Sequence, residues 1–269
     1  MKWTVHHMYF QKNSLTNRTD ELIIQIEKLA LNTWPAASTF TSEHWIYRAS
    51  GGITKRANSV WTAAGDFFPE GDWLAEAVRF YSFHGLPVRY HISDASPKQL
   101  DNLLEAHGYL KETPCSVMIA QSDVVIKKTL SESDHHFHVT VRSQHKDEWL
   151  THFLKMEGFG EERRTFYNKL FADIEPQKGF FTLELDGLCV AVGSSIVENG
   201  WAGFINVAVN PELRGRGIGR IILHELAVWS RNHGADGLYL QVINDNEPAL
   251  KLYSKAGFTP LYQYHYRIK

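Results

Sequence analysis

The run Val207-Ala-Val-Asn-Pro-Glu-Leu-Arg-Gly-Arg-Gly-Ile-Gly-Arg220 decides how this chain is read. An apolar stretch of strand character ends at Val209. Asn210 and Pro211 make a turn, and Gly215, Gly217 and Gly219 alternate into an amphipathic segment that Ile218 opens. Glycines at a helix entrance leave backbone N–H groups unscreened by Cβ atoms, and the helix dipole favours an anion there. Arg214, Arg216 and Arg220 bring positive charge to the same turn. The stretch predicts a strand, a phosphate-binding turn and a helix, in that order. It is not the dinucleotide fingerprint, which needs Gly-x-Gly-x-x-Gly after the first strand of a βαβ unit.

Outward from this turn the pattern continues. Residues 180–185 and 188–197 read as strands joined at Asp186-Gly187, a hairpin signal, and 201–209 is the next strand. Ile218, Ile222, Leu226 and Trp229 recur at helical spacing over 217–233, and Asn232-His-Gly234 ends that helix. Residues 238–243 read as a strand. Asn246 caps a helix that runs to Ala256 and stops at Gly257, and 258–268 form a last strand. Upstream, 137–141 read as a strand and 145–157 and 161–174 as helices. The sum is an α/β (α+β) mixed sheet flanked by helices.

The first half carries an echo of the second. One constant offset lays Gly85 on Gly234 and Gly108-Tyr109 on Gly257-Phe258. It also lays a helix over 72–84 on 221–233, a strand over 88–92 on 237–241, and a strand over 56–60 on 205–209. An earlier helix over 21–31 matches an early helix of the second half. This predicts a diverged duplication, two mixed sheets in tandem, with domains 1–125 and 126–269 and a polar linker over 121–134.

Composition bounds the rest. The chain has 269 residues, 43% hydrophobic and 22% charged, as a soluble globular protein has. A formal net charge of -2 argues against a general nucleic-acid partner. Cys115 and Cys189 match no metal or redox spacing and read as reduced thiols of a cytoplasmic protein. No secretory signal or bilayer-spanning run is expected, so no membrane partner is. The cluster Asp134-His135-His136-Phe137-His138 puts His136 and His138 on one strand face, but without a third ligand it reads as a solvated strand, and no metal is expected.

Two motifs together resemble the GNAT superfamily of acyl-CoA-dependent N-acyltransferases. Arg214-Gly-Arg-Gly-Ile-Gly219 fits its Arg/Gln-x-x-Gly-x-Gly/Ala motif, and Asn246-x-x-Ala249-x-x-Leu252-Tyr253-x-x-x-Gly257-Phe258 fits its second diagnostic run. The whole looks like the tandem form with one degenerate half. The resemblance implies acetyl-CoA as cosubstrate. The N–H groups of the turn from Gly215 to Arg220 would take the pyrophosphate. The backbone of Val207, Ala208 and Val209 would bind the pantetheine arm. Asn246 would bond the arm or cap its own helix, and Tyr253 would protonate the leaving thiolate or donate a hydrogen bond to its sulfur. The acceptor implied is a primary amine, of a small molecule in preference to a protein. A homodimer is compatible with the sequence.

The departures matter as much. In the ribosomal-protein branch of the superfamily a Glu stands five residues before the Asn; here Gln241 stands there and takes no proton. Glu157, Glu161 and Glu162 lie in the early helices and leave the base unassigned. Under the constant offset the anion turn falls on Gly65-Asp-Phe-Phe-Pro-Glu70, Asn246 on Pro97 and Tyr253 on Leu104, so the first half is expected to bind no CoA. Its segments Trp45-Ile-Tyr-Arg48 and Arg56-Ala-Asn-Ser-Val-Trp61 could wall an acceptor pocket or simply pack. A CoA-binding sensor and a protein N-acetyltransferase remain the alternative functions.

Overall fold

A computed structural model describes the backbone of residues 4–131 and 136–269, with side chains from residue 18 onward. Helix α1 (Thr4–Asn32) leads into strands β1 (Ser38–Ser42), β2 (Trp45–Ala49) and β3 (Val60–Trp61). Helix α2 (Trp73–Phe83), β4 (Arg89–Ser93), α3 (Leu100–Ala106), β5 (Leu110–Gln121) and α4 (Ser122–Thr129) follow. Then come β6 (Phe137–Arg142), α5 (Asp147–Glu157), α6 (Arg164–Asp173), β7 (Gln177–Leu185), β8 (Leu188–Glu198) and β9 (Trp201–Val209). The chain ends with α7 (Ile218–Asn232), β10 (Gly237–Ile243), α8 (Glu247–Ala256) and β11 (Thr259–Ile268).

The α/β class is as the sequence predicts, but the two expected sheets are one. The eleven strands of the described residues join in the order β1-β2-β3-β4-β11-β5-β10-β9-β8-β7-β6. The last strand of each half crosses over: β11 lies between β4 and β5, and β5 lies between β10 and β11. Swapping β4 with β10 and β5 with β11 returns the same order reversed, so the centre of the sheet has twofold symmetry of topology. Long-range exchange of this kind leaves no mark in local periodicity, which reports faces and not partners.

One face of the second half is covered by α7. Its Ile218, Ile221, Ile222 and Leu226 pack on Phe204, Leu238, Leu240 and Val242. The opposite face carries α5 and α6, whose Trp149, Phe153, Tyr167 and Phe171 meet Phe180, Val192, Ile205 and Ala208. Helix α1 covers the sheet centre on a layer of tyrosines, Tyr239, Tyr262, Tyr264 and Tyr266. Leu226 is fully buried, so its loss to Ala would cost about 2–5 kcal/mol.

Three further expectations are corrected. The predicted linker contains α4, whose Val125 is fully buried and whose Ser122 hydroxyl donates to the Ala235 carbonyl at 2.6 Å. The predicted strand over 56–60 is a loop as far as Ser59, and only Val60 belongs to β3. The Asn58 amide organises it, accepting from the N–H groups of Ser50 and Gly52 and donating to the Thr54 carbonyl. The constant offset also breaks there. His91 pairs with Trp61, and Leu240 pairs with Phe204, so Trp61 stands where Phe204 does. Of the histidine cluster, Asp134 and His135 lie outside the described residues; His138 faces solvent on β6 opposite Glu184.

Candidate active site

Strands β9 and β10 run parallel and pair from Trp201–Gly237 to Phe204–Leu240, then part. Neither frays. Beyond the fork β9 stays bonded to β8, and β10 stays bonded to β5 through Gln241–Val117, Val242–Ser116 and Ile243–Cys115. The fork is forced by a bulge: β9 spends two residues, Asn206 and Val207, where β8 has only Gly193. Asn206 takes a left-handed φ of +55° to make it. From Ile205 to Val209 the β9 edge that faces β10 is therefore unpaired, although Ala208 is buried. Two buried polar atoms beside the bulge, Asn206 Nδ2 and Ser194 Oγ, have no hydrogen-bond partner among the described residues. Such atoms call for a partner from outside the chain, a water or a ligand.

The glycine turn lies at the end of this edge. Asn210 accepts from the Glu212 N–H at 3.1 Å and starts a 3-10 turn at Pro211. Gly215 and Gly217 adopt φ of +79° and +82°, and Gly217 is the N-cap of α7. Among the described residues, no backbone carbonyl accepts from the N–H groups of Gly215, Arg216, Gly217, Ile218 or Gly219. The Arg220 N–H is already used, donating to the Gly217 carbonyl at 3.0 Å. Gly219 serves packing, since a Cβ there would come within 2.8 Å of Leu252 of α8.

The three arginines part company. Arg214 turns inward, its Nε 3.3 Å from the Val209 carbonyl and its Nη2 3.3 Å from the Met156 carbonyl of α5. Arg220 donates through Nη1 to the Thr129 carbonyl at the end of α4. Arg216 is exposed and has no partner among the described residues. All three stay charged, but of the three only the Arg216 side chain is without a hydrogen bond among the described residues and so is free to turn toward an anion. Nothing in the sequence distinguishes the three, because each direction is set by a carbonyl brought from another element.

Helix α8 begins at Asn246, whose side-chain oxygen accepts from the Ala249 N–H at 3.2 Å, which leaves its Nδ2 free to donate. Tyr253 follows roughly two turns on. Its ring lies 6.0 Å from that of Phe258, and no described residue accepts from its hydroxyl. Burial, with the charge of Glu157 across the cleft, pushes the Tyr253 phenol up to about 12. Partial burial also raises the Glu157 carboxyl from its ordinary value, against the opposing pull of Arg214, although the residue as a whole is exposed. The structure thus brings Glu157, Arg214 and Tyr253 together; Glu161 is fully exposed and paired with Arg164 at 2.6 Å.

Sequence reasoning missed a second, inner group. Glu27 of α1 is buried, holds His91 at 3.0 Å and accepts from Trp61 Nε1 at 2.9 Å. Burial would raise this carboxyl, but the His91 contact holds it below its usual value. Glu27, Arg48, Arg56, Trp61, His91 and Gln241 line one cavity under α1. A charged residue on the apolar stripe of a helix was the available signal for Glu27.

The first half lacks the fork. Past Trp61 the chain stays tied to β4 and the turn that follows it: the Thr62 hydroxyl donates to the His91 carbonyl at 2.7 Å, and the Gly65 N–H donates to the Ala95 carbonyl at 2.9 Å. The Asp72 carboxylate already caps α2, accepting from the Ala75 N–H at 2.9 Å.

Comparison with known proteins shows the family. The family described as "Probable histone acetyltransferase Rv0428c C-terminal" matches residues 21–267. An uncharacterized N-acetyltransferase, YobR of Bacillus subtilis (strain 168), is 40% identical over 247 residues, covering 92% of this chain and 98% of its own. A GCN5-related N-acetyltransferase from Kribbella flavida shares the fold with a TM-score of 0.68 at 12% identity, over 92% of this chain and 95% of that one. A tandem GNAT protein from the clavulanic acid biosynthesis pathway superposes with a TM-score of 0.61 at 12% identity, over 73% and 68%. The chain belongs to the GNAT family and is an acetyltransferase of that type.

Proposed function

We propose that this protein moves an acetyl group from acetyl-CoA to a primary amine of a small molecule, at the fork between β9 and β10. One observation carries the reading. The unpaired edge of β9 runs into the free N–H groups at the entrance of α7, and Tyr253, whose hydroxyl is unbonded among the described residues, packs on the same cluster as Val207 and Val209 of that edge. The residues fit the cosubstrate. Gly215 to Gly219 would hold the pyrophosphate, with Arg216 adding charge from the surface. Val207, Ala208 and Val209 would bond the pantetheine amides along their open edge, and Asn246 Nδ2 would donate to the arm. Acetyl-CoA supplies an activated acyl carbon and a thiol leaving group. The amine nitrogen bonds to that carbon, the C–S bond breaks, and the ammonium proton goes to solvent or to Glu157. Tyr253 donates to the departing sulfur, while N–H groups of the β9 edge face the oxygen that gains charge.

We further propose that 126–269 is the transferase half and 1–125 a degenerate copy that binds no CoA. The symmetric strand order supports the duplication, and the Asp72 cap with the tied β3–β4 ends supports the loss. The proposed boundary falls inside α4, so the halves are units of descent and not of independent folding.

Gln241 at the fork favours one second reading, a CoA sensor without turnover, because it holds no proton-accepting group. Thiol release from acetyl-CoA with a broad panel of small amines, and with peptide amines beside them, separates the readings. Small amines should release thiol. CoA binding with no release would favour the sensor, and release with peptides alone would favour a protein acceptor.

A further inference from the structure

A narrow cleft under α1 opens to solvent; its empty space is about 280 Å³ only when the open mouth is counted, and the part closed in by side chains is water-sized. Its charges do not balance. Two guanidinium groups, Arg48 and Arg56, share it with one carboxylate, Glu27, and that carboxylate is taken by His91 and Trp61. Among the described residues neither arginine forms an ion pair. Arg48 is 4% exposed, and burial lowers it only to about 10, so it stays a cation at neutral pH. Its Nη1 donates to the Arg56 carbonyl at 2.6 Å and its Nη2 to the Trp34 carbonyl. Those are the two residues that build the next contact: the Arg56 guanidinium lies over the Trp34 ring, 4.6 Å from its centre. Arg48 therefore positions a clamp whose working group is Arg56.

The clamp sits beside the reaction line. Trp34 packs in the same cluster as Ile205 and Ala208, on the unpaired stretch of β9. Gln241 lines the cavity from β10, at the residue that follows the last β9–β10 pair. The cleft thus has the arginines on one side and Gln241, at the fork, on another, and a ligand would lie across its open mouth. A planar guanidinium, half-buried and without a carboxylate of its own, binds a carboxylate through two parallel hydrogen bonds.

We propose that this cavity is the acceptor site, and that the acceptor is a small amine bearing a carboxylate, an amino-acid-type zwitterion. The carboxylate lies on Arg56, and the amine reaches the fork between Ile205–Ala208 and Gln241. The inference rests on the transferase reading above and adds the substrate class to it. It also gives the first half a direct part in recognising the acceptor, since Arg48, Arg56 and Trp34 all come from that half.

The test pairs each acid with its carboxamide. The probes are glycine, 4-aminobutanoate, 6-aminohexanoate and L-lysine, each beside its amide. Binding is measured by calorimetry on protein saturated with free CoA, where no turnover occurs, and thiol release is measured separately. The best acid should bind and react at least about 30-fold better than its amide, the effect of removing one partner of a desolvated charge pair. Arg56→Gln should shrink that ratio to within about threefold and leave the affinity for CoA unchanged, and Arg56→Lys should fall between, since it keeps the charge and loses the fork. If Arg56→Gln fails to fold, the acid–amide ratio of the unaltered protein still decides. Amides equal to acids in binding overturn the proposal, as does a ratio that survives in Arg56→Gln. Carboxylate-dependent binding without thiol release keeps the acceptor pocket and removes the transferase reading; thiol release indifferent to the carboxylate does the reverse.

Discussion

Tyr253→Phe probes the chemistry most directly, because the fold should not notice it. The hydroxyl has no described partner, and the ring keeps its contact with Phe258 at 6.0 Å. The change in stability should stay within about 0.5 kcal/mol. The effect on rate follows from the acidity of the phenol. Burial and the Glu157 charge hold it at about 12. A thiol titrates near 8.5, so complete proton transfer to the leaving sulfur would be uphill by roughly 3.5 units, about 5 kcal/mol. Tyr253 should therefore act as a hydrogen-bond donor to sulfur as charge develops there, and not as a full proton donor. Such a bond to a charged partner is worth about 1.5–3 kcal/mol, which predicts a fall in kcat of about 10–150-fold.

Thiol release at saturating acetyl-CoA measures this, with the KM for acetyl-CoA expected within about threefold of the unaltered protein. The sign of the pH dependence is fixed too. The donor must be protonated, and the phenol keeps its proton until pH rises through about 12. No loss of kcat between about pH 7 and about pH 10 should therefore trace to this residue. Two results would refute the reasoning: kcat unchanged in Tyr253→Phe, or an alkaline fall near pH 9 that the substitution abolishes. The second would mean that the cleft does not hold the phenol where its burial says.

Three other changes test the frame. Gly217→Glu must adopt the φ of +82° at a strain of about 1–2 kcal/mol and place a carboxylate in the anion turn, so calorimetry should find CoA affinity down by at least about 100-fold, with Gly217→Ala showing the strain alone; retained affinity in the Glu variant would undo the turn's assignment. Arg216→Ala should weaken CoA binding a few-fold at low salt and not at high salt, whereas Arg214→Ala should lower the melting temperature, because Arg214 holds the carbonyls of Val209 and Met156; the opposite split would reverse the roles. Burial would raise the Asp101 carboxyl, but hydrogen bonds from Arg267 and His265 hold it at about 2, below its unfolded value near ~3.9. Its contribution is present above the unfolded value and lost as pH falls toward the folded one. Asp101→Asn should cost about 1 kcal/mol at neutral pH after allowance for solvent, and the gap to the unaltered protein should close between about pH 4 and about pH 2 in urea titrations.

The second half was legible because its signals are local. The Asp186-Gly187 hairpin, the Asn246 cap and the left-handed stop at Gly257 each act within a few residues, and the structure has all three. What the sequence hid is non-local. The Val124-Val125-Ile126 run of α4 is short and flanked by polar residues, so only its packing against α7 reveals a helix. The loop before β3 resembled a strand because Asn58, its organiser, looks like any polar residue until its three backbone partners are known. The fork itself was invisible: the bulge at Asn206 depends on a register shift against β8 that no periodicity encodes.

The exchange of β5 and β11 changes what a degenerate half is for. A fork needs β10 to leave β9 without leaving the sheet, and the strand that holds β10 past the fork is β5, through Val117, Ser116 and Cys115. That strand belongs to the first half. On the duplication reading, a copy that lost its own anion turn still sets the geometry of the surviving site and supplies the arginines behind it. The second half cut out at residue 126 would expose one edge of β10 along Gly237–Ile243 and strip both neighbours from β11, since β4 and β5 come from the first half. Bare edges of that length invite aggregation. On the proposed duplication, the boundary at residues 125 and 126 divides a history, while the reaction line crosses it.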